Sequence, residues 1–144
     1  MADRVTFFMV GCQRCGSTWT DAALREHPRV FLPPQKQTYF FDQNDVKGID
    51  WYRAQFEGAT DEHLAVGEVA TGYCLPHAVP RLAEHYPAVR LIMAMRDPVE
   101  RAYSNYRTRC AEQGWASFEE ALDASPDLIE RGEYMTQVDA LLEH

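Results

Sequence analysis

The sequence contains no apolar run approaching the roughly 18 residues that a membrane span requires. Its first strand-like segment begins at Val5, so no secretory leader is expected. Basic residues are scarce: 14 Lys and Arg stand against 22 Asp and Glu, a net charge of −8. That balance argues against a broad nucleic-acid surface but leaves room for a local basic pocket. Cysteine is sparse too, at 4 in 144 residues. Cys12 and Cys15 form a lone C-x2-C with no second pair at zinc spacing, so no metal site is read. The pair precedes a helix, which suits a redox motif, although reduced thiols in a cytoplasmic protein are the plainer reading. There is no internal repeat and no low-complexity segment. A chain 46% hydrophobic and 25% charged reads as one globular domain spanning residues 1–144.

Residues 5–27 organise the rest. Val5, Phe7, Phe8, Met9 and Val10 read as a buried strand, the loop runs from Gly11 to Gly16, and residues 17–26 read as a helix. Strand, glycine-bounded loop and helix N-terminus together make an anion cradle of inward N–H groups and a positive dipole end. The spacing is Gly11-x4-Gly16-Ser17-Thr18. A nucleotide-hydrolysing loop carries Lys after its second glycine, and here Ser17 stands there. The only cation inside this loop is Arg14. An ordinary strand-to-helix turn with glycines for tightness explains the same pattern.

Further strands are expected at 30–32, 64–69 and 89–95, and further helices at 76–86, 98–110, 117 onward, 126–131 and 134–142. Residues 35–42 read as too short for a helix and 43–50 as a polar loop. Asp97, Pro98 and Glu100 form an Asp capping box, and Ser117 with Glu120 a second one. On the helix from Pro98, Val99, Ala102, Tyr103 and Tyr106 are expected to face the sheet. Strands alternating with helices give an α/β fold: a P-loop-like, three-layer arrangement with a mainly parallel sheet flanked by helices. Ligands of such sheets bind beyond the carboxyl ends of the strands. Glu68 and Arg96 both fall there. Arg96 and Ser104 then make a second anion site, and two separated sites suit a nucleotide phosphorylated at both 5′ and 3′ positions.

These residues carry a resemblance. The chain resembles the sulfotransferases that use 3′-phosphoadenosine-5′-phosphosulfate (PAPS), in the branch of the heparan-sulfate enzymes and their bacterial relatives. Arg14-Cys15-Gly16-Ser17-Thr18 is similar to the family's K-x-G-[ST]-[ST] loop, which holds the 5′-phosphosulfate. Residues 96–106, RDPVERAYSNY, match an R-D-P-x-x-R-A-Y-S-x-Y pattern whose Arg and Ser bind the 3′-phosphate. Lys36 to Asp42 corresponds to a K-E-x-x-F-F-D element, with Gln37 at the catalytic Glu. The segment 47–52 also resembles the family.

The resemblance implies in-line sulfuryl transfer from PAPS, leaving PAP, to a hydroxyl or amine of a small-molecule or saccharide acceptor, with no metal. It implies Arg14, Cys15, Gly16, Ser17, Thr18, Arg96 and Ser104 as cofactor contacts. Arg14 would also act on the transferring group. Gln37 cannot take a proton, so Glu68 is the expected base, with Asp42 and His77 behind it. Arg14 replaces the usual Lys, and Val69 replaces a Lys of the heparan-type enzymes. The similarity ends at about residue 142, over the first half to two-thirds of a typical domain, so exposed apolar surface is expected near Leu141 and Leu142. A P-loop kinase and a PAP-binding protein without transfer activity remain alternatives.

Overall fold

A computed structural model describes residues 4–144. Its centre is β1 (Phe7–Gly11), in which every residue is buried. Apolar side chains alternate across this strand. Phe8 and Val10 enter one core cluster, while Phe7 and Met9 enter another on the opposite face. A strand apolar on both faces is what a parallel sheet covered on both sides requires.

Four strands form the sheet in the order β2 (Val30–Phe31), β3 (Ala65–Val69), β1, β4 (Arg90–Met93), and every pairing is parallel. From β1 the chain moves to one side for β2 and β3, then crosses back to place β4 on the other. The carboxyl end of β1 is therefore the point where strand order reverses, the usual place for a ligand crevice. Gly67 lets β3 close on β1, because a Cβ there would lie 2.2 Å from the Phe7 carbonyl oxygen.

One face is covered by α1 (Ser17–Arg25), whose Leu24 packs beside Phe7, Met9, Leu32 and Val69. The other face carries an aromatic core. Phe40 and Phe41 come from a π-turn at Phe40–Asn44, Tyr52 from α2 (Ile49–Ala54), and Leu82 from α3 (Val79–His85). Phe8 meets Phe41, Tyr73 and Tyr86 edge-on, with ring centroids 6.0, 5.9 and 5.3 Å apart. Edge-to-face pairs of this kind add specificity beyond the burial of their area. Residues 40–47, expected as irregular chain, are this π-turn followed by a 3-10 turn at Asp45–Lys47. The buried Phe40-Phe41 pair anchors that turn, a tertiary cause that local propensity does not carry.

Beyond β4 lie α4 (Pro98–Gln113), α5 (Phe118–Ala124), α6 (Asp127–Glu130) and α7 (Tyr134–Glu143). Both expected caps form: Glu100 N–H donates to Asp97 Oδ1 at 2.9 Å, and Glu120 N–H to Ser117 Oγ at 3.1 Å. The expected apolar face of α4 forms only in part, with Ala102 buried as expected. Val99 and Tyr103 are exposed, and the buried side is Arg101, Ala102 and Asn105. The helix packs on α5 and α6 instead of lying flat on the sheet. Arg101, fully buried, donates to the Leu128 carbonyl, and Asn105 reaches Gln13 at 3.4 Å. On α7 the buried residue is Gln137. Leu141 packs against the core and Leu142 is exposed.

Candidate functional site

The loop after β1 leads straight into α1. Gly16 is the residue before the helix and has φ 88°, a left-handed conformation that a side chain would strain. Ser17 is buried at the first helical position, and Thr18 lies beside it at the surface. Arg14 projects from the loop and donates from Nε to Ser104 Oγ at 3.1 Å. Ser104 lies on α4, ninety positions along the chain. That contact joins the two anion-binding segments expected from sequence.

Arg96 follows β4 and donates from Nε and Nη2 to Glu100 Oε2, at 3.1 and 3.0 Å. Both side chains are largely exposed, so water screens the pair and holds it weakly. A cavity of about 530 Å³ is lined by Arg14, Gly16, Ser17, Thr18, Arg96 and Ser104 together with Lys36 and Gln37. A second, of about 610 Å³, adjoins it along Arg14, Arg96, Ser104 and Arg107. Arg109 and Arg131 complete the cationic lining of the first, and Asp42 is the one carboxylate among its described lining residues. In a chain of net charge −8 this concentrates positive potential where an anion would enter. Arg109 and Arg131 are engaged with Asp127, at 2.9 and 3.7 Å. Arg14 and Lys36 donate to hydroxyls, Lys36 reaching Thr18 Oγ1 at 3.0 Å. Lys36 thus supplies a second cation to the loop. It lies eighteen residues away, and its motif was legible but its contact was not.

Gln37 also lines the cavity, and its side-chain carbonyl accepts from Thr71 Oγ1 at 3.2 Å. Among the described residues, the non-glycine positions with positive φ are Arg14 at 69°, Gln37 at 58° and Tyr39 at 56°, and all three line this cavity. Backbone strain gathered at one cavity is a mark of a functional site.

Glu68 is elsewhere. It is 1% exposed and does not line the cavity. Its Oε1 accepts from the Thr38 N–H, and its Oε2 from Tyr52 OH at 2.8 Å, Tyr73 OH at 3.1 Å and Thr38 Oγ1 at 3.2 Å. Burial pushes its pKa up, and these donors oppose the shift. A strand-end position therefore did not mean a ligand-facing side chain: Glu68 points into the aromatic core and ties down Thr38, next to Gln37. Asp42 is half-buried, its Oδ1 lacks a partner, and burial raises its pKa against the pull of Gln43, His77 and Arg131.

All four cysteines are free thiols. Cys12 and Cys74 both donate to Gln137 Oε1, at 3.4 and 3.1 Å, so Cys12 shares its hydrogen-bond partner with Cys74. Interaction with the neighbouring Cys74 thiol, then burial, pushes the Cys12 thiol up, and burial raises Cys15, which keeps both protonated and poorly nucleophilic. Among the described residues no group of side chains could hold a metal ion, and no helix is long and apolar enough to cross a membrane.

A parallel sheet whose central strand runs into a cation-lined loop at the switch point defines an α/β protein with a candidate anion site at its strand ends. A family profile described as "Sulfotransferase domain" matches residues 5–143, and the chain belongs to that family. It is 33% identical over 103 residues to "Membrane-associated sulfotransferase kil1" of Dictyostelium discoideum, a match over 69% of this chain and 22% of that protein. It is 26% identical over 146 residues to mouse "Heparan sulfate glucosamine 3-O-sulfotransferase 3A1", over 94% of this chain and 37% of the relative. The fold matches a sulfotransferase from Alicyclobacillus acidocaldarius with TM-score 0.83 and 28% identity, covering 97% of this chain and 68% of that one. The chain thus spans well under half the length of these curated relatives.

Proposed function

We propose that this chain binds PAPS and transfers its sulfuryl group to a hydroxyl or amine. The observation that carries the reading is the contact of Arg14 with Ser104, which brings the loop and the α4 segment into one cavity. The donor set fits a doubly phosphorylated nucleotide. Ser17, Thr18 and the loop backbone suit the 5′ end, and Arg96 with Ser104 suits the 3′-phosphate. PAPS supplies the sulfuryl group and the leaving phosphate. Arg14 and Lys36 stabilise negative charge that builds on the phosphate side during transfer. Arg14 presents a planar fork and Lys36 a compact charge, so the two divide orientation from neutralisation.

Proton removal from the acceptor falls to Asp42. Asp42 is the one carboxylate among the described residues lining the cavity and burial raises its pKa, which suits general-base work, and Glu68 keeps the positioning role its bonds describe. Gln37 positions the acceptor by hydrogen bonding. The names of the heparan sulfate relatives favour a saccharide acceptor, and a small molecule bearing a hydroxyl or amine fits the same chemistry.

Calorimetric titration with PAP, ADP and ATP tests the reading. PAP should bind most tightly and without Mg²⁺. Preference for ATP with Mg²⁺ would point to a kinase and overturn it. One observation favours a second reading, a PAP-binding protein without transfer activity: an amide, Gln37, stands where the family's carboxylate is placed. Release of PAP from PAPS separates the two.

A further inference from the structure

Both anion sites touch one side chain that belongs to neither. Tyr134 stands at the start of α7, and its hydroxyl donates to the Arg96 carbonyl at 2.8 Å. The same oxygen lies 3.4 Å from the Arg96 N–H, which donates to it, and 3.8 Å from Cys15 Sγ. Cys15 sits in the loop between Arg14 and Gly16. One phenol therefore bridges the loop after β1 and the backbone that carries Arg96 beyond β4.

Its helix is held in place one turn further on. The Gln137 side chain accepts from Cys12 Sγ, just after β1, and from Cys74 Sγ, in the segment after β3, and donates to the Arg131 carbonyl at 3.1 Å. Gln137 is 3% exposed, so these bonds form out of water, where breaking them leaves buried polar atoms unpaired. Through Tyr134 and Gln137, α7 spans the carboxyl ends of β1, β3 and β4. Burial, then the hydrogen bond with Cys15, pushes the Tyr134 pKa up to about 12, so the phenol keeps its proton and its donor role at neutral pH.

We propose that Tyr134 is a positioning residue that fixes the separation of the two anion sites, and so sets selectivity for a nucleoside 3′,5′-bisphosphate over singly phosphorylated nucleotides. The argument rests on the PAPS reading of the cavity. A ligand that engages both sites gains from their fixed spacing, because the second contact forms without further ordering. A ligand engaging one site gains nothing from it. Selectivity therefore depends on a residue that touches neither phosphate.

The test is calorimetric titration of the whole chain and of Tyr134→Phe with adenosine 3′,5′-bisphosphate, adenosine 5′-monophosphate and adenosine 3′-monophosphate. Thermal melting of both proteins is measured alongside. Tyr134→Phe keeps the ring and removes one hydroxyl. The bisphosphate should weaken by about tenfold, while each monophosphate changes by less than about threefold. Equal weakening of all three, or no change in any, would overturn the proposal, because both are what a residue with only a structural role gives. Gln137→Leu is the companion variant, since it loosens α7 without touching either site. It should narrow the same selectivity by a smaller factor, and unchanged selectivity there together with unchanged selectivity in Tyr134→Phe would overturn the role given to α7. If the unsubstituted chain binds the bisphosphate no better than the monophosphates, the PAPS reading itself fails and takes this inference with it. That failure is seen before any variant is made.

Discussion

Two polar clusters meet at Thr38 and Gln37, adjacent in sequence and opposite in design. Around Thr38, one carboxylate takes four hydrogen bonds inside an aromatic core. Around Gln37, cations line an open cavity, and those nearest the loop touch only hydroxyls. The first cluster has its donors satisfied by the protein, and the second leaves capacity for a ligand. Charged residues of a protein thus divide by what remains for them to bind.

Substitutions can break this contrast or sharpen it. The largest effect is expected from Glu68→Ala, which strands the Thr38, Tyr52 and Tyr73 donors in the core. Unfolding in urea should show a loss of about 3–5 kcal/mol. The pH dependence follows from the sign of the shift. Burial holds the folded carboxyl above its ordinary value of 4.5, so the folded state binds the proton more tightly than the unfolded chain. The stability contribution falls as pH rises from that value through the raised one, then levels off. Asp42, raised in the same direction, adds to this slope. Glu68→Gln should flatten it, and a slope identical to that of the parent chain would deny Glu68 its part.

Arg14→Ala should do the converse. Stability stays within about 0.5 kcal/mol, as for other exposed sites. PAP release from PAPS slows by about 10²–10³-fold with little change in PAP affinity. Next comes Arg96→Ala, which should remove most of the PAP-over-ADP preference, about 1.5–3 kcal/mol by calorimetry. Equal loss of both ligands would cancel the assignment of Arg96 to the 3′-phosphate. The smallest effect is that of Glu100→Gln, which releases Arg96 from a screened pair. Melting should barely move, and PAP should bind slightly more tightly.

What the sequence told depends on how local each feature is. The loop from Gly11 to Thr18 and the Asp97 cap are written in consecutive residues, and each formed in the expected place. All four strands fall within the apolar stretches that marked them, although only β1 is buried throughout and the edge strand β4 is largely exposed. The face of α4 was not legible, because its partners are α5 and α6, further along the chain. Glu68 was misplaced for a related reason: position along a strand is a local fact, whereas the side it faces depends on what packs there. Lys36 lies inside a legible motif, but its role follows from its contact with Thr18, eighteen residues away. Tyr134 and Gln137 carried no signal for this role, since the partners that tie them to the strand ends lie 38 to 125 residues away.

The strained backbone at Arg14, Gln37 and Tyr39 has a consequence for how this protein would respond to selection. A left-handed conformation at a non-glycine residue costs about 1–2 kcal/mol. Glycine at any of the three would relieve that strain, less its own entropic cost. A library screened only for heat resistance should therefore enrich glycine at 14 and 37. Those survivors would lose the guanidinium and the amide that line the cavity. Robustness and activity would be bred apart at the same positions, and sorting one library by melting temperature and again by PAP binding would display the divergence.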